Sequence, residues 1–424
     1  MKYLNRPIFI VILAILAPGL PLEANQFSIP ETDEGLPGEG PIRRYSWFKK
    51  LWERKRSAWA NQVEQDKGSL VFLGDSITQG WGDQMGNSFP GVKVANRGIS
   101  GDTTRGVLIR LSEDVLTLNP KGVVILIGTN DLEESASPEV IASNLKLIIS
   151  ELKKHNSNMP IILCNVFPSS AKKKRPTEQI RKINKLYFSS VKGDPQVIIL
   201  DTWTLFANDK GDANKPEFPD LLHPNKLGYA KWAAALHPLL ATHGFIETKP
   251  VEFSMEPGFV RLFNGKDLTG WGFRDKKTLK PLVNFSGKQR SKDNRYQAIN
   301  GRLVVTTPPE GRRVQQLWTT MEFPKDFTLK LEFRATPNAD SGIFIRKPQL
   351  QCRDYNLAGP WKELKKYKPQ KWNEIIVVVK EGNAHCTCNG EVLNAEFTVP
   401  STGPIGLEGD RGQMEYRHIR IKSQ

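Results

Sequence analysis

The chain has 424 residues, which is too long for one ordinary hydrophobic core, so two domains are expected. Its apolar and aromatic content is that of globular domains and excludes a globally disordered protein. The net charge is +15, and residues 251–424 hold 29 Lys and Arg against 19 Asp and Glu. These charges are spread over turns and strand faces, so we expect no nucleic-acid partner and favour an acidic glycan or an anionic surface.

The first 24 residues predict an export signal. Lys2 and Arg6 form a basic start, residues 8–17 are apolar, and a small residue follows at a plausible cleavage point. The alternative is an uncleaved membrane anchor, but the apolar run is short for a span of about 20 residues and two prolines break it. We therefore predict a signal peptide over 1–24, an exported (periplasmic or extracellular) protein and no stable membrane insertion after cleavage.

Residues 25–58 are predicted to hold a leader and the first helical region. The stretch 25–42 is rich in Pro, Gly and acidic residues, which is typical of a flexible leader. Helical spacing over 45–66 predicts a helix. Its apolar anchors are Trp47, Leu51, Trp59 and Val63.

Strand-like and helix-like segments alternate over 59–245. The apolar runs lie at 69–73, 92–96, 122–127, 160–166 and 196–200. The helical segments lie near 103–118, 138–155, 177–191 and 225–241. Continuous apolar strands alternating with helices indicate a parallel sheet covered on both faces, so we predict a three-layer α/β/α domain of flavodoxin-like type.

The pattern changes after residue 245. A linker is predicted over 246–258, and short alternating runs punctuated by Gly, Pro and Asn fill 259–424. No convincing helix intervenes, so this part predicts an all-β sandwich or jelly roll. The four cysteines indicate buried thiols more than a metal site, and we expect no metal and no cofactor.

The first strand ends at Gly-Asp-Ser, within the stretch SLVFLGDSITQGW at 69–81. Either this is an ordinary exit from a strand, or Ser76 is a nucleophile presented at the edge of the sheet. A lone Gly-Asp-Ser is weak evidence, since it arises by chance in about one chain in ten of this length.

Three further stretches lie beyond later strands or in a late loop. In NRGISGDTTRG the backbone N–H of Gly101 can point at developing negative charge, and in VVILIGTNDL the side chain of Asn130 can donate. In FPDLLHPNKLGYAKWA, Asp220 lies three residues before His223 and can bind one nitrogen of its ring. Each stretch alone is equally consistent with a turn, but ligands of open α/β sheets bind outside the carboxyl ends of the strands, where all four stretches are predicted to lie.

The motifs GDSIT, GISGDTT, GTNDL and DLLHP resemble the SGNH, or GDSL, hydrolase family over about residues 60–245. The closest resemblance is to platelet-activating-factor acetylhydrolase-like esterases. The resemblance implies Ser76 as nucleophile, His223 as base and Asp220 as its orienting acid. It also implies an oxyanion hole made of the Ser76 N–H, the Gly101 N–H and the Asn130 side chain. A basic loop at Lys172–Arg175 follows the fourth strand and is expected to border the site or to be a plain solvated loop.

Residues 259–424 resemble a 3-keto-disaccharide hydrolase-type domain, a concanavalin- or laminin-G-like sandwich. The resemblance is carried by FVRLFNGKDLTGWGF, FTLKLEFRATPNADSGIFIR and GPIGLEGDRGQMEYRHIRIK. The family often has Glu where this chain has Gln349, and this departure argues against catalysis at that face. The candidate sugar-binding residues are Asp340, Arg346, Gln351, Asp354, Trp361 and Glu408.

The sequence therefore predicts an exported serine esterase that removes acetyl or other small acyl groups from a polysaccharide or oligosaccharide, joined to a glycan-directed sandwich. The first rival is a lysophospholipase- or thioesterase-like lipid esterase whose sandwich is an interaction module. The second rival is a glycan-binding or glycoside-cleaving protein whose main activity lies in the sandwich. The sequence leaves the oligomeric state open.

Overall fold

The computed structural model describes residues 27–250, 252–306, 315–360 and 362–424. The predicted signal peptide over 1–24 and the candidate sugar-binding residue Trp361 lie outside the described residues. Within the described ranges, no helix combines the length and the apolar character that a membrane crossing needs.

The first domain is built on a five-stranded parallel sheet of order β2-β1-β3-β4-β5, which is the flavodoxin-like order. Four of its strands are almost entirely apolar, since helices cover both faces of the sheet, whereas the edge strand β2 also carries Asn96 and Arg97. They are β1 Leu70–Gly74, β2 Val94–Gly98, β3 Gly122–Leu126, β4 Ile161–Cys164 and β5 Val197–Leu200. The predicted three-layer α/β/α architecture is confirmed.

Ten α-helices of the described residues belong to this domain. They are α1 Ser46–Ala60, α2 Val63–Asp66, α3 Ser76–Gln79, α4 Gln84–Ser88, α5 Thr104–Asp114, α6 Thr129–Glu133, α7 Pro138–His155, α8 Thr177–Ser190, α9 Thr202–Phe206 and α10 Lys226–Thr242. Two single-turn 3₁₀ helices lie at Leu116–Leu118 and Ala171–Lys173. Side-chain caps start several of the longer helices, among them Thr103 before α5 and Asn225 before α10.

The segment before α1 differs from the flexible leader that its composition predicts. Arg105 binds Asp33 at 2.6 Å, and the side chain of Asn144 bonds both the backbone N–H and the carbonyl of Glu39. The buried face of α1 is formed by Phe48, Trp52, Arg56 and Trp59, whereas the predicted anchor Trp47 is exposed. Residues 27–60 are therefore an integral layer of the first domain.

The second domain consists of two antiparallel sheets packed face to face, as predicted. One has the order β17-β16-β15-β12-β19-β10-β9, with β6 paired to β19, and the other has the order β14-β13-β18-β11-β7-β8. The early strands are β6 Val260–Arg261, β7 Trp271–Arg274, β8 Pro281–Asn284, β9 Tyr296–Ile299, β10 Arg302–Thr306, β11 Leu317–Thr319 and β12 Phe327–Ala335. The later strands are β13 Asp340–Ile345, β14 Gln349–Arg353, β15 Asn373–Lys380, β16 Asn383–Cys388, β17 Glu391–Thr398, β18 Ile405–Arg411 and β19 Gln413–Ser423.

Strict alternation of buried and half-buried residues along β12 shows why these sequences form a sandwich, since one face of each strand enters a shared core. Cys352, Cys386 and Cys388 are buried thiols in that core.

The two domains touch through a few polar and apolar contacts. The Asn338 amide donates to Asp201 at 2.7 Å, and Leu357 packs against the core of the first domain.

Candidate active site

The four sequence motifs meet at one edge of the parallel sheet. The strand order places β1 between β2 and β3, so the loops that leave these three strands open at the same carboxyl edge. Ser76 follows β1, Gly101 follows β2, and Asn130 follows β3. The fourth stretch arrives from the loop before α10.

Ser76 is the first residue of the short helix α3. The Asp75 side chain accepts a 2.9 Å hydrogen bond from the N–H of Ile77 and so starts the helix. Gly74 is required before it, because a Cβ there would lie 2.3 Å from the carbonyl oxygen of Leu126 and 2.3 Å from Thr78 Oγ1. As the first helical residue, Ser76 leaves its own N–H without an intrahelical acceptor.

A continuous line of hydrogen bonds joins three side chains. The Ser76 Oγ lies 3.0 Å from His223 Nε2, and His223 Nδ1 lies 2.8 Å from Asp220 Oδ2. The other carboxylate oxygen of Asp220 accepts the backbone N–H groups of His223 at 2.7 Å and Leu222 at 3.0 Å. Asp220 therefore fixes both the ring and the backbone of His223, which leaves Nε2 directed at the serine.

Asp220 is held in its ionised form. Partial burial alone would raise its pKa, but the hydrogen bonds from the backbone and ring of His223 and from the Leu222 N–H lower the pKa to about 2. A charged carboxylate at this position favours the tautomer of His223 that has its proton on Nδ1, which leaves Nε2 as an acceptor for the Ser76 hydroxyl.

Gly101 has a backbone that disfavours any other residue. Its φ is +89°, and a Cβ would lie 2.8 Å from Trp47 Cη2 and 2.9 Å from Arg43 Nη1. Among the described residues, no acceptor takes the Gly101 N–H. The turn thus leaves this N–H free for a ligand at the sheet edge.

The amide of Asn130 is held in one orientation by two partners. Its Oδ1 accepts a 2.9 Å hydrogen bond from Arg175 Nη2, and its Nδ2 donates to the carbonyl of Asp102 at 2.9 Å. Because Arg175 can only donate, the oxygen must face the guanidinium and the NH₂ group must face the other way. One N–H of that group remains for a ligand.

Arg175 is a member of this site that its sequence context does not reveal. It is 2% exposed, and besides Asn130 it binds Thr129 Oγ1 at 3.1 Å and Glu133 at 2.9 Å. The residues of the predicted basic loop therefore have different environments. Arg175 points inward, whereas the Lys173 Nζ lies 3.8 Å from the Asp220 Oδ2 at the surface. No motif marks Arg175, and three neighbouring lysines hide it.

Two further buried acids brace the loops that carry Gly101 and Asn130. Asp102 binds Arg110 at 2.8 Å, and Asp131 accepts the backbone N–H of Thr104 at 3.0 Å. Burial raises the pKa of each carboxyl to about 6 in spite of these partners. The loops are thus connected to α5 by buried polar contacts.

The N-terminal segment also reaches the site. Arg43 lies beside Gly101 and binds Glu133, the carboxylate that Arg175 also binds. Tyr45 and Trp47 are 52% and 51% exposed, and their rings lie nearly parallel, 10° apart, with centroids separated by 6.4 Å. Trp47 borders Gly101, so this aromatic pair flanks the mouth of the site.

In the sandwich, three of the six candidate residues share the outer face of the six-stranded sheet. Gln351 and Glu408 are both opposite Gly342, and Asp340 lies two residues earlier on the same face of that strand. The Glu408 carboxylate accepts from Gln316 at 2.9 Å and from Gln349 at 3.3 Å.

Arg346 and Asp354 do not join this face, because their polar groups are bound elsewhere. The guanidinium of Arg346 donates to the carbonyls of Pro400 and Lys325, and Asp354 accepts from the backbone N–H of Asn338. Both side chains are buried.

Asp75 provides a test of the buried polar layer under the site. Burial raises its pKa to about 7, and its Oδ2 has no hydrogen-bond partner among the described residues. Because the folded-state pKa exceeds the unfolded value of 3.8, ionisation of Asp75 costs stability as the pH rises from about 4 to about 7. An Asn side chain in place of Asp75 keeps the Oδ1 acceptor and does not titrate.

We therefore expect the melting temperature of Asp75→Asn, relative to the unmodified chain, to increase between pH 5 and pH 8. Thermal unfolding followed by circular dichroism at both pH values measures this difference. A difference that is the same at both values would contradict the buried, ionisable state of Asp75.

Comparison with known proteins agrees with this architecture. The model of the GDSL-like lipase/acylhydrolase family matches residues 72–231, and that of the 3-keto-alpha-glucoside-1,2-lyase-like domain matches residues 258–422. The platelet-activating factor acetylhydrolase IB subunit alpha1 of Rattus norvegicus is 30% identical over 192 residues, which cover 45% of this chain and 82% of that protein. The alpha2 subunit of Homo sapiens is 27% identical over 51% of this chain and 91% of its own length.

Among solved structures, a GDSL-like lipase from Bacteroides thetaiotaomicron is 26% identical, with a TM-score of 0.40, over 46% of this chain and 97% of that chain. The GDSL-like family model covers the segment that holds Ser76, Gly101, Asn130, Asp220 and His223. The chain belongs to the GDSL-like lipase/acylhydrolase family, as an ester-bond hydrolase that carries a second, 3-keto-alpha-glucoside-1,2-lyase-like domain.

Proposed function

We propose that the first domain hydrolyses carboxylic esters with Ser76 as nucleophile, His223 as general base and Asp220 as the residue that orients His223. The observation that carries this proposal is the hydrogen-bonded line from Ser76 Oγ through His223 to Asp220. Serine hydroxyls become nucleophilic when such a base accepts their proton.

In the first step His223 Nε2 takes the proton of Ser76 as the serine oxygen bonds to the ester carbonyl carbon. The tetrahedral intermediate collapses, and the imidazolium returns the proton to the departing alkoxide, which leaves as an alcohol. Water then attacks the acyl-serine with the same assistance, and a carboxylic acid and free Ser76 are formed. Asp220 stays charged throughout and stabilises the imidazolium.

The negative charge of the tetrahedral intermediate would be received by three N–H groups, those of Ser76, Gly101 and the Asn130 side chain. Each such donor contributes about 10²–10³ to kcat when it is fixed in advance. Arg175 supplies that fixation for Asn130, because its bond to Oδ1 prevents the amide from rotating. Arg175 is thus a positioning residue rather than one that touches substrate.

We propose acetyl or other small acyl groups on a carbohydrate as the substrate. The support is the exposed Tyr45–Trp47 pair beside Gly101, since parallel aromatic faces stack well on the apolar faces of sugar rings. The polar groups around it, Arg43 and Glu134, suit hydroxyl groups better than an alkyl chain. The relatives of the first domain are named acetylhydrolases, which agrees with a small acyl group.

The sandwich is proposed to direct the enzyme to a glycan. Asp340, Gln351 and Glu408 on one outer face support this role, as does the match to a 3-keto-alpha-glucoside-1,2-lyase-like domain. Export is proposed on the basic start and apolar run of residues 1–24. A secreted or periplasmic enzyme would meet acylated polysaccharides outside the cytoplasm.

Replacement of the nucleophile tests the reaction itself. We expect Ser76→Ala to lower kcat for p-nitrophenyl acetate by a factor on the order of 10⁴–10⁶, because the variant lacks the hydroxyl on which the acyl intermediate would form. Ser189→Ala, on the exposed face of α8, is the matched control and should retain full activity. Undiminished hydrolysis by Ser76→Ala would refute the assignment.

Replacement of Arg175 tests the positioning of Asn130. We expect Arg175→Lys to lower kcat about 10–100-fold with a much smaller change in KM, because Lys cannot bind Thr129, Asn130 and Glu133 together. Titration with a fluorophosphonate gives the concentration of folded active sites. The rate is then expressed per active site, so misfolded protein does not lower the measured kcat. Lys172→Met in the same loop is the control, and an unchanged kcat in Arg175→Lys would contradict the proposed role.

The aromatic pair is tested by substrate choice. Trp47→Ala is expected to raise KM for an acetylated xylo-oligosaccharide about tenfold, because one stacking contact with the sugar is lost. The kinetics with p-nitrophenyl acetate should not change. Phe188→Ala, another exposed aromatic residue, is the control. A preference for octanoyl over acetyl esters, reduced by Trp47→Ala, would favour the lipid esterase instead.

A further inference from the structure

A cavity of about 400 Å³ lies on the sandwich, away from the serine, and its walls are basic. One wall is the linker at Thr248–Pro250 and Phe253, and the other is the outer face of the larger sheet at β10, β12 and β19. Phe253 stacks on His418 at 4.1 Å, and Glu256 pairs with Arg420 at 2.7 Å, so the linker is held against this sheet.

Seven cationic side chains line the cavity, and none of the described residues that line it is Asp or Glu. Besides Arg302 and Arg334, they are Lys249, Arg261, Lys266, Arg417 and Arg420. Four carboxylates pair with some of these cations from outside the cavity wall: Glu256, Glu332, Glu374 and Glu415. Within the described part of the chain, Lys249, Arg261 and Lys266 form no ion pair, so positive charge is in excess at the cavity surface.

The floor of the cavity holds an incompletely satisfied guanidinium. Arg302 and Arg334 share the single carboxylate of Glu415, which is fully buried. Arg302 is 5% exposed, its Nε has no hydrogen-bond partner among the described residues, and burial lowers its pKa. An anionic group in the cavity would balance the second of the two arginines that share Glu415.

An aromatic ring stands beside these charges. Trp372 is half-buried in the cavity wall, with the guanidinium of Arg417 at 4.1 Å and that of Arg334 at 5.0 Å from its ring centroid. Asn264 and Asn300 add neutral hydrogen-bonding groups to the lining. A basic floor, an aromatic wall and amide groups together match a sugar that bears a charged group.

We propose that this cavity binds an anionic sugar unit, one with a carboxylate or a sulfate, of an oligosaccharide. The volume is within the range of small-ligand pockets and accommodates one or two sugar rings. The cavity is a confined pocket rather than a long basic stripe, which disfavours a nucleic-acid strand. This site is distinct from the polar face at Glu408 and from the serine, and its existence does not depend on the esterase activity.

Isothermal titration calorimetry of the full chain tests the proposal. The chain carries Ser76→Ala, so that any ester group on a sugar probe is not hydrolysed during the measurement. The probes are trigalacturonate, a sulfated heparin-derived disaccharide, uncharged cellotriose, inorganic sulfate and a ten-residue oligothymidylate. We expect at least one charged sugar to bind at least 100-fold more tightly than cellotriose and to weaken as salt is raised. The carboxylated and sulfated probes distinguish the two sources of charge.

The charge-reversed variant Lys249→Glu/Lys266→Glu should weaken that binding at least tenfold. The matched control Lys276→Glu/Lys277→Glu changes the net charge equally at two exposed lysines outside the cavity and should bind within twofold of the parent. Binding by neither charged sugar, equal binding of inorganic sulfate or cellotriose, tighter binding of the oligothymidylate, or equal loss in both variants would overturn the proposal.

Discussion

The hydrogen bond between Ser76 and His223 joins residues 147 positions apart, and much of the first domain is arranged so that it forms. The serine follows β1, an interior strand of the sheet, whereas the histidine lies on the loop before the last helix of the first domain. Tyr229 on α10 donates its hydroxyl hydrogen to the carbonyl of Ile77 at 2.8 Å, which joins the two segments directly. The distance between nucleophile and base is thus set by the packing of α10 against α3.

The same requirement explains the unusual number of buried charges beneath the site. Arg110 with Asp102, and Arg175 with Glu133 and Asn130, hold loops that would otherwise be free to turn. Burying such groups costs solvation free energy, and only near-complete hydrogen bonding offsets that cost. We propose that the arrangement provides a set of N–H groups fixed before any substrate arrives, which is how electrostatic stabilisation of a transition state is most effective.

Much of the architecture could be predicted from the sequence because it depends on local patterns. Five apolar runs separated by segments of helical spacing are sufficient to predict the parallel sheet. The alternation of buried and half-buried residues along β12 is sufficient to predict a strand of a sandwich. The location of Ser76, Gly101 and Asn130 at one edge follows from the rule that parallel strands expose their carboxyl ends together. The contact between His223 and Asp220 could be predicted because the two residues lie close together in the chain.

Other features could not be predicted because they depend on contacts between distant segments. Arg175 looks like one more cation in a basic loop, and only its burial against Thr129 and Asn130 distinguishes it. Trp47 has the spacing of a core residue, yet α1 turns so that Phe48 and Trp52 are buried and Trp47 is exposed beside Gly101. The proposed mechanism depends above all on the Ser76 oxygen being the group that attacks the ester. Mass spectrometry of the intact chain and of its peptides after reaction with a fluorophosphonate measures this directly. We expect one adduct, on the peptide that contains Ser76, formed in proportion to the loss of activity and greatly slowed in His223→Ala. An adduct on another residue, or full inactivation without modification of Ser76, would contradict the proposed role of this serine.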